Sequence, residues 1–342
     1  MKLETIPDPT PGPGEVIIEV GACGVCYHDV VTRDGTLKAG VRMPLIPGHE
    51  IAGTVVDVGP GVRTVTVGDR VATTQRARIC GHCRFCRSQR EPLCDDAEFL
   101  GDTRLNGGYA EYVAVGEDNV AKVPQDVLLE WASIAACAIG TMYHAIRGVA
   151  NVQIGERVLV TGAGGGLGMH GVQLARRSGA FVVAQTTSRN KARQLVEAGA
   201  HHVVVAARGE DFSAEVKDVT EGRGVDVAVD NVGTPLYQFT RRSVAKGGRW
   251  VLVGQLTGDF VSFNPAQLFL KGLSMLSATS TTREELRDCL DLLRPGGIRA
   301  VVENTAPLEA ASKAHLALES GTTAGRIVLL PQQSPEAFQS AS

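Results

Sequence analysis

The sequence predicts a mixed α/β fold in two parts: a small, turn-rich β-barrel, followed by a doubly wound sheet of parallel strands with helices on its faces. Three observations carry this. Short β-branched runs punctuated by Gly and Pro fill roughly the first 120 residues, the pattern of a barrel. After Pro124, strand-like and helix-like runs alternate, and regular βαβ alternation implies a parallel sheet. A glycine-rich run from Gly162 to Gly168 falls where the first of those strands hands over to the first of those helices. Two late runs, 301–308 and 327–330, read as strands that rejoin the first part. The domains expected are therefore 1–138 with 278–342, and 139–277.

Taken in order, residues 1–13 are proline-rich and extended. Residues 15–20 alternate and are β-branched, which makes a strand. Residues 21–34 hold Cys23, Cys26, His28 and Asp29 in a turn-rich stretch that runs into a short helix. Residues 51–58, 63–73 and 109–115 read as strands set off by glycine turns. An apolar, alanine-rich helix follows at 131–146. Strands are expected at 157–161, 181–186, 203–205, 225–230, 249–253 and 273–277. Helices are expected at 167–178, 190–198 and 283–293. The polar tail from Gln332 is expected to be disordered.

At 342 residues the chain is long enough for about two domains. Its hydrophobic share of 44% and charged share of 21% are those of a globular protein with a full core. A net charge of −3 gives no field to gather nucleic acid or an anionic membrane, so neither is expected as a partner. No apolar run approaches the ~20 residues of a membrane span, and the N-terminus lacks a signal-peptide pattern. Of 8 cysteines, Cys80, Cys83, Cys86 and Cys94 form a tight cluster, and the others are Cys23, Cys26, Cys137 and Cys289. In a large chain without a secretion signal such a cluster reads as metal-binding, which places the protein in the cytoplasm.

Four thiolates at the spacing of Cys80, Cys83, Cys86 and Cys94 can wrap one zinc tetrahedrally and leave no position open, so the site reads as structural. The alternative is buried or disulfide-bonded thiols. In Gly162-Ala163-Gly164-Gly165-Gly166-Leu167-Gly168 the glycines let the backbone approach a pyrophosphate, and the helix start offers free N–H groups. The residue that reads the ribose should close the second strand of the sheet. There the chain gives Thr186, Ser188, Arg189 and Lys191, with no acid. Hydroxyls and cations accept a 2′-phosphate that a carboxylate would repel, so NADPH is favoured over NADH. The alternative is that Arg189 and Lys191 are solvated first-turn charges. Gly48-His49-Glu50 sets a histidine beside a carboxylate, which alone is a weak metal signal.

These motifs, with Gly24-Val25-Cys26, Gly107-Gly108-Tyr109-Ala110-Glu111-Tyr112 and Thr323-Ala324-Gly325-Arg326, span nearly the whole chain. Together they resemble a zinc-dependent medium-chain dehydrogenase/reductase of the alcohol dehydrogenase family. The resemblance implies a GroES-like catalytic domain interrupted by a Rossmann domain. It implies two zinc ions per chain: a catalytic one held by Cys26, His49 and Cys137, and a structural one held by Cys80, Cys83, Cys86 and Cys94. Glu50 matches a carboxylate that can approach the catalytic metal. Asp29 matches the acid that orients the ligand histidine. Thr141 and Arg326 match positions at the nicotinamide end and the pyrophosphate. A homodimer or homotetramer is implied as well.

The chain departs from the family in three places. Where the family has Ser or Thr two residues after the first zinc cysteine, this chain has His28, and a histidine common three residues further on is Val31. His28 is then either the proton relay itself or part of the pocket wall. The segment Gln75-Arg76-Ala77-Arg78 stands where an aromatic often meets substrate. Its cations suit a carboxylate or phosphate if they face the pocket, and are unremarkable if they face solvent. The resemblance also implies a further strand or two ahead of the segment matched by Glu4–Pro13, so either the barrel edge is expected to be less well covered or the recorded start is expected to be internal. Cys23 is expected in the core, and His144, His201 and His202 are expected to be structural.

The activity expected is reversible hydride transfer between an alcohol and an aldehyde or ketone with NAD(P)(H). Two rivals stand beside it: reduction of a conjugated C=C bond such as an enoyl thioester, and a non-catalytic nucleotide-binding role.

Overall fold

The computed structural model describes residues 1–36 and 41–332. It divides into two compact units, Met1–Gly140 with Ser280–Ser342, and Thr141–Thr279. Beyond Gln332, the tail expected to be disordered lies outside the described residues.

The first unit is organised on the strand Glu15–Val25, whose Val16, Ile18 and Val20 are fully buried. Branched side chains at alternate positions put one face into the core. The strand pairs antiparallel with Glu50–Val58 along one edge. Along the other it pairs with Tyr112–Gly116 and then with Arg326–Leu330. Glu50–Val58 continues to Arg70–Thr73, and that to Val120–Lys122. Val120–Lys122 and Tyr112–Gly116 follow one another in the chain, separated only by the turn Glu117–Asn119. Val302–Pro307 lies parallel to Arg326–Leu330 and completes this seven-stranded sheet.

The second unit is a six-stranded sheet, all parallel. Its order is His202–Val205, Phe181–Thr186, Arg157–Thr161, Val225–Asp230, Val244–Leu252, Ser274–Ser277. The order reverses between Arg157–Thr161 and Val225–Asp230, the point where doubly wound sheets bind their ligands. No helix among the described residues is long and apolar enough to cross a membrane.

Three stretches differ from expectation. Residues 21–25 continue the strand Glu15–Val25, where a turn-rich stretch was expected, because they pair with both Glu50–Val58 and Arg326–Leu330. Residues 63–69 form a turn instead of a strand. The N–H groups of Arg63 and Thr64 donate to Glu117 Oε2 at 2.9 and 2.8 Å, and Thr66 N–H donates to Asp69 Oδ2 at 2.7 Å, so carboxylates replace a strand partner. The apolar helix is split into Leu129–Ser133, a π-helical turn Ala135–Ile139, Gly140–Tyr143 and a second π-turn His144–Val149. At the first π-turn, Thr281 Oγ1 donates to the Ala136 carbonyl at 2.7 Å. Such bulges shift the side chains that follow, here at Cys137.

Candidate active site

Cys26 ends the strand Glu15–Val25 and caps the helix Tyr27–Arg33. Its N–H donates to Asp29 Oδ2 at 2.9 Å, so the Cys-x-x-Asp spacing first of all closes a helix start. Asp29 is fully buried and also accepts from Gly48 N–H and His49 Nδ1, both at 3.2 Å, and from Tyr109 Oη at 3.3 Å. His49 is thereby fixed just ahead of the strand Glu50–Val58, with its other ring nitrogen toward Cys26. Gly48 has φ +99°, and a Cβ there would come within 2.5 Å of the Tyr109 ring. That close approach is why Gly48 and Tyr109 occur together.

The third cysteine comes from the π-turn. Cys137 Sγ stands 3.9 Å from Cys26 Sγ, and ligand atoms of Cys26, His49, Glu50 and Cys137 lie within 4.8 Å of one another. Two sulfurs bound to one tetrahedral zinc stand about 3.8 Å apart, so these residues fit the ion. Arg326 is only 3% exposed and sits inside the cluster. Its Nη2 lies 2.8 Å from Glu50 Oε1, 3.5 Å from Cys26 Sγ and 3.6 Å from Cys137 Sγ.

The charges follow from this packing. The Cys137 thiol, the Arg326 cation and His49 hold Cys26 well below the usual thiol value, against burial, while Cys137 is driven well above it. Burial alone would lower His49, but Asp29 and Cys26 raise it well above its ordinary value. Burial raises Glu50, and Arg326 opposes that. Two thiols, a histidine and the Glu50–Arg326 ion pair share this space, a donor set that a divalent cation would bind on release of the ligands' protons.

The second cluster is local. Cys80, Cys83, Cys86 and Cys94 also bring their sulfurs within 4.8 Å. Backbone N–H groups of Cys83, Cys86 and Cys80 donate to Sγ of Cys80, Cys83 and Cys94 at 3.3, 3.4 and 3.4 Å. Desolvation and the neighbouring thiols push Cys86 up to about 12. All eight cysteines are free thiols.

His28 Nε2 meets Asp102 Oδ2 at 3.0 Å. Its ring lies 4.6 Å from Phe99 and 5.4 Å from His49. Asp102 is buried, and a lone Asp in a glycine turn gave no sequence signal for this pairing.

In the second unit the glycine run follows the strand Arg157–Thr161 and opens the helix Gly166–Arg177, with Leu167 and Gly168 in its first turn. A Cβ on Gly168 would come within 2.4 Å of Ala163 Cα, and one on Gly164 within 2.7 Å of Lys191 Cδ and 3.1 Å of Thr186 Oγ1. At Gly168 the obstacle is backbone, so glycine is required there, whereas at Gly164 it is the flexible Lys191 side chain. The carbonyl of Gln185 accepts from Ala163 N–H at 2.8 Å and its side chain from Gly162 N–H at 3.1 Å, pinning the loop. Ser188 N–H donates to Thr186 Oγ1 at 3.2 Å. Arg189 is exposed and Lys191 buried, while Thr141 is buried in Gly140–Tyr143. Asp230, buried at the end of Val225–Asp230, accepts from Thr161 Oγ1 at 2.7 Å and from Val232 and Gly233 N–H at 3.0 and 3.1 Å. A charged residue closing an apolar strand at the reversal of strand order was the signal that could have found it.

Cys23 is fully buried, and His201 stacks on Phe181 at 4.6 Å while His202 pairs with Glu215 at 2.8 Å.

Residues 12–125 match the family of alcohol dehydrogenase GroES-like domains, and residues 166–295 match the zinc-binding dehydrogenase family. An acryloyl-coenzyme A reductase of Sulfurisphaera tokodaii is 33% identical over 332 residues, 96% of each chain. An alcohol dehydrogenase of Geobacillus stearothermophilus is 33% identical over 329 residues, again 96% of each chain. Among solved structures, AibC superposes with a TM-score of 0.90 at 46% identity, covering 96% of this chain and 91% of that one. An NAD-dependent alcohol dehydrogenase superposes with a TM-score of 0.90 at 31% identity, covering 96% of this chain and 94% of the other.

Proposed function

The chain belongs to the zinc-dependent alcohol dehydrogenase family of medium-chain dehydrogenases/reductases, and from that premise we propose that it interconverts a small alcohol and its aldehyde or ketone with NAD(P)(H). The observation that carries this reading is the buried set Cys26, His49 and Cys137 with Asp29 behind His49. Zinc held there supplies Lewis acidity toward an alcohol or carbonyl oxygen. The nicotinamide supplies the hydride acceptor or donor.

The chain's own residues do the rest. Asp29 accepts the His49 Nδ1 proton, which fixes the tautomer and raises the basicity of the far nitrogen. Glu50 and Arg326 form a buried ion pair that balances charge beside the thiols. Oxidation removes one hydride and one proton from the alcohol, and the proton needs a base. With Asp102 accepting from His28 Nε2, the lone pair left on Nδ1 can take that proton. His28→Ala should then lower kcat by about 100-fold and remove a limb of the pH–rate profile. A normal profile with near-normal turnover sinks the relay.

NADPH preference belongs to the same proposal. Its support is the absence of an acid at the end of Phe181–Thr186, with Thr186, Ser188, Arg189 and Lys191 there instead. We also propose a cytoplasmic homodimer or homotetramer, supported by the free thiols and by the exposed Phe260, Phe269 and Leu270. Light scattering would test the assembly.

A second reading, reduction of a conjugated C=C bond such as an enoyl thioester, is favoured by the acryloyl-coenzyme A reductase relatives and by Arg76 near His28. One experiment decides: the zinc-loaded protein is assayed on alcohols, carbonyls and enoyl thioesters with NADPH and NADH in parallel. Turnover of alcohols or carbonyls that a chelator abolishes supports the main reading. Turnover of enoyl thioesters alone replaces it.

A further inference from the structure

The short strands Arg76–Ala77 and Glu98–Phe99 pair antiparallel, with Arg76 directly opposite Phe99. That register stacks the guanidinium on the ring, Arg76 Cζ lying 5.2 Å from its centroid. The backbone is pinned at the same point, the Arg76 carbonyl accepting from Thr74 Oγ1 at 3.0 Å and Asn119 Nδ2 at 2.9 Å. Phe99 is also the ring that both site histidines touch, 4.6 Å from His28 and 5.0 Å from His49. Arg76 therefore stands one phenyl ring away from the thiol–imidazole cluster.

What Arg76 lacks is an anion. Its Nε donates to Ser280 Oγ at 3.3 Å, and neither Nη has an acceptor among the described residues. Other partly buried arginines are answered: Arg249 by Glu156, Arg157 by Glu221, Arg326 by Glu50, and Arg70 by the carbonyls of Pro124, Gln125 and Val127. The carboxylate nearby, Asp102, is committed to His28 and to Thr103 N–H. Burial depresses the Arg76 pKa and Asp102 only partly opposes it, as expected of a cation short of compensation. A half-buried guanidinium, oriented by a ring and a hydroxyl with its two Nη groups unspent, matches the two oxygens of an anion.

We propose that Arg76, held by Phe99 and Ser280, binds an anionic group of the substrate, a carboxylate or a phosphate ester, at the end away from the reacting carbon. Calling that ligand a substrate rests on the oxidoreductase reading; the anion site itself does not. It makes neutral alcohols and aldehydes poorer substrates than acidic ones of equal length.

The test has a binding arm and a turnover arm, on the zinc- and cofactor-loaded wild type, Arg76→Met, Arg76→Lys and Ser280→Ala. Calorimetry with pentanoate, pentyl phosphate and pentanol reads the anion site directly. At least one anion should bind wild type about 10- to 100-fold more tightly than Arg76→Met, the range of one charge-assisted hydrogen bond. Arg76→Lys should recover part of this, Ser280→Ala should lose part, and pentanol should not change. The anion that responds separates carboxylate from phosphate. In turnover, Arg76→Met should raise KM for 5-oxopentanoate and leave pentanal as it was. Equal anion binding by wild type and Arg76→Met, or none by wild type, overturns the proposal. Arg76-dependent binding without turnover of either aldehyde overturns the carbonyl reading and keeps the anion site. Should Arg76→Met not fold, Arg76→Lys and Ser280→Ala decide by the same criteria.

Discussion

The two cysteine clusters of the first unit are built in opposite ways. Cys80, Cys83, Cys86 and Cys94 fall within one loop, and backbone N–H groups of the same loop point at their sulfurs. Cys26, His49 and Cys137 come from a strand end, a strand start and a π-turn, and their neighbours are the side chains of Asp29, Glu50 and Arg326. A loop that spends all four ligands on one ion can only be stabilised by it. A centre with three ligands, charged neighbours and a carboxylate in reserve can also exchange what it holds. The difference teaches that ligand count and the source of the surrounding charge, local backbone or distant side chain, separate a structural site from a reactive one.

The largest test is His49→Ala. It should remove one of two zinc ions per chain and abolish turnover, while metal analysis still finds the other ion at the four-cysteine loop. Loss of both ions would erase the distinction. Cys86→Ser should do the reverse. It should lose the loop's zinc and lower stability by several kcal/mol, on the order of 10 °C in Tm, with turnover retained well below the new Tm.

Asp29→Asn sharpens the comparison, because only the buried centre has a carboxylate behind its ligand. Chelator competition should show zinc there held about 10- to 100-fold more weakly and the loop's zinc unchanged. Equal weakening of both would refute the assignment of Asp29.

The smallest effect asks how another loop of the barrel, at residues 63–69, is held by a carboxylate distant in sequence. The Arg63 N–H and the Thr64 hydroxyl and N–H keep the Glu117 carboxyl below its usual value. A depressed carboxylate contributes its stability in full above the unfolded value of about 4.3, and loses it as the pH falls through the lower folded value. Glu117→Gln should therefore cost less than about 1 kcal/mol at neutral pH, since solvent screens this group, and the cost should vanish in acid. Urea melts from neutral pH down through the acid range would read it. An unchanged cost in acid would mean that the hydrogen-bond geometry, and not the charge, does the holding.

Much of this was legible in the chain alone. Strands such as Val225–Asp230 and Phe181–Thr186 declare themselves because their middle residues, Val227 to Val229 and Val182 to Ala184, are fully buried and must be apolar. The four-cysteine loop and the glycine run are legible because each works through its own backbone, so residue type and spacing carry the physics. The helix at 131–146 hid its π-turns, because the Ala136 carbonyl is answered by Thr281, more than a hundred residues away in sequence. The same holds for Asp102 behind His28 and for Phe99 beneath Arg76. By itself the sequence determined which residues could bind a metal or a nucleotide. The tertiary structure decided which charge stands beside which, because a buried thiolate, carboxylate or guanidinium takes its chemistry from partners that only folding brings within about 3 Å.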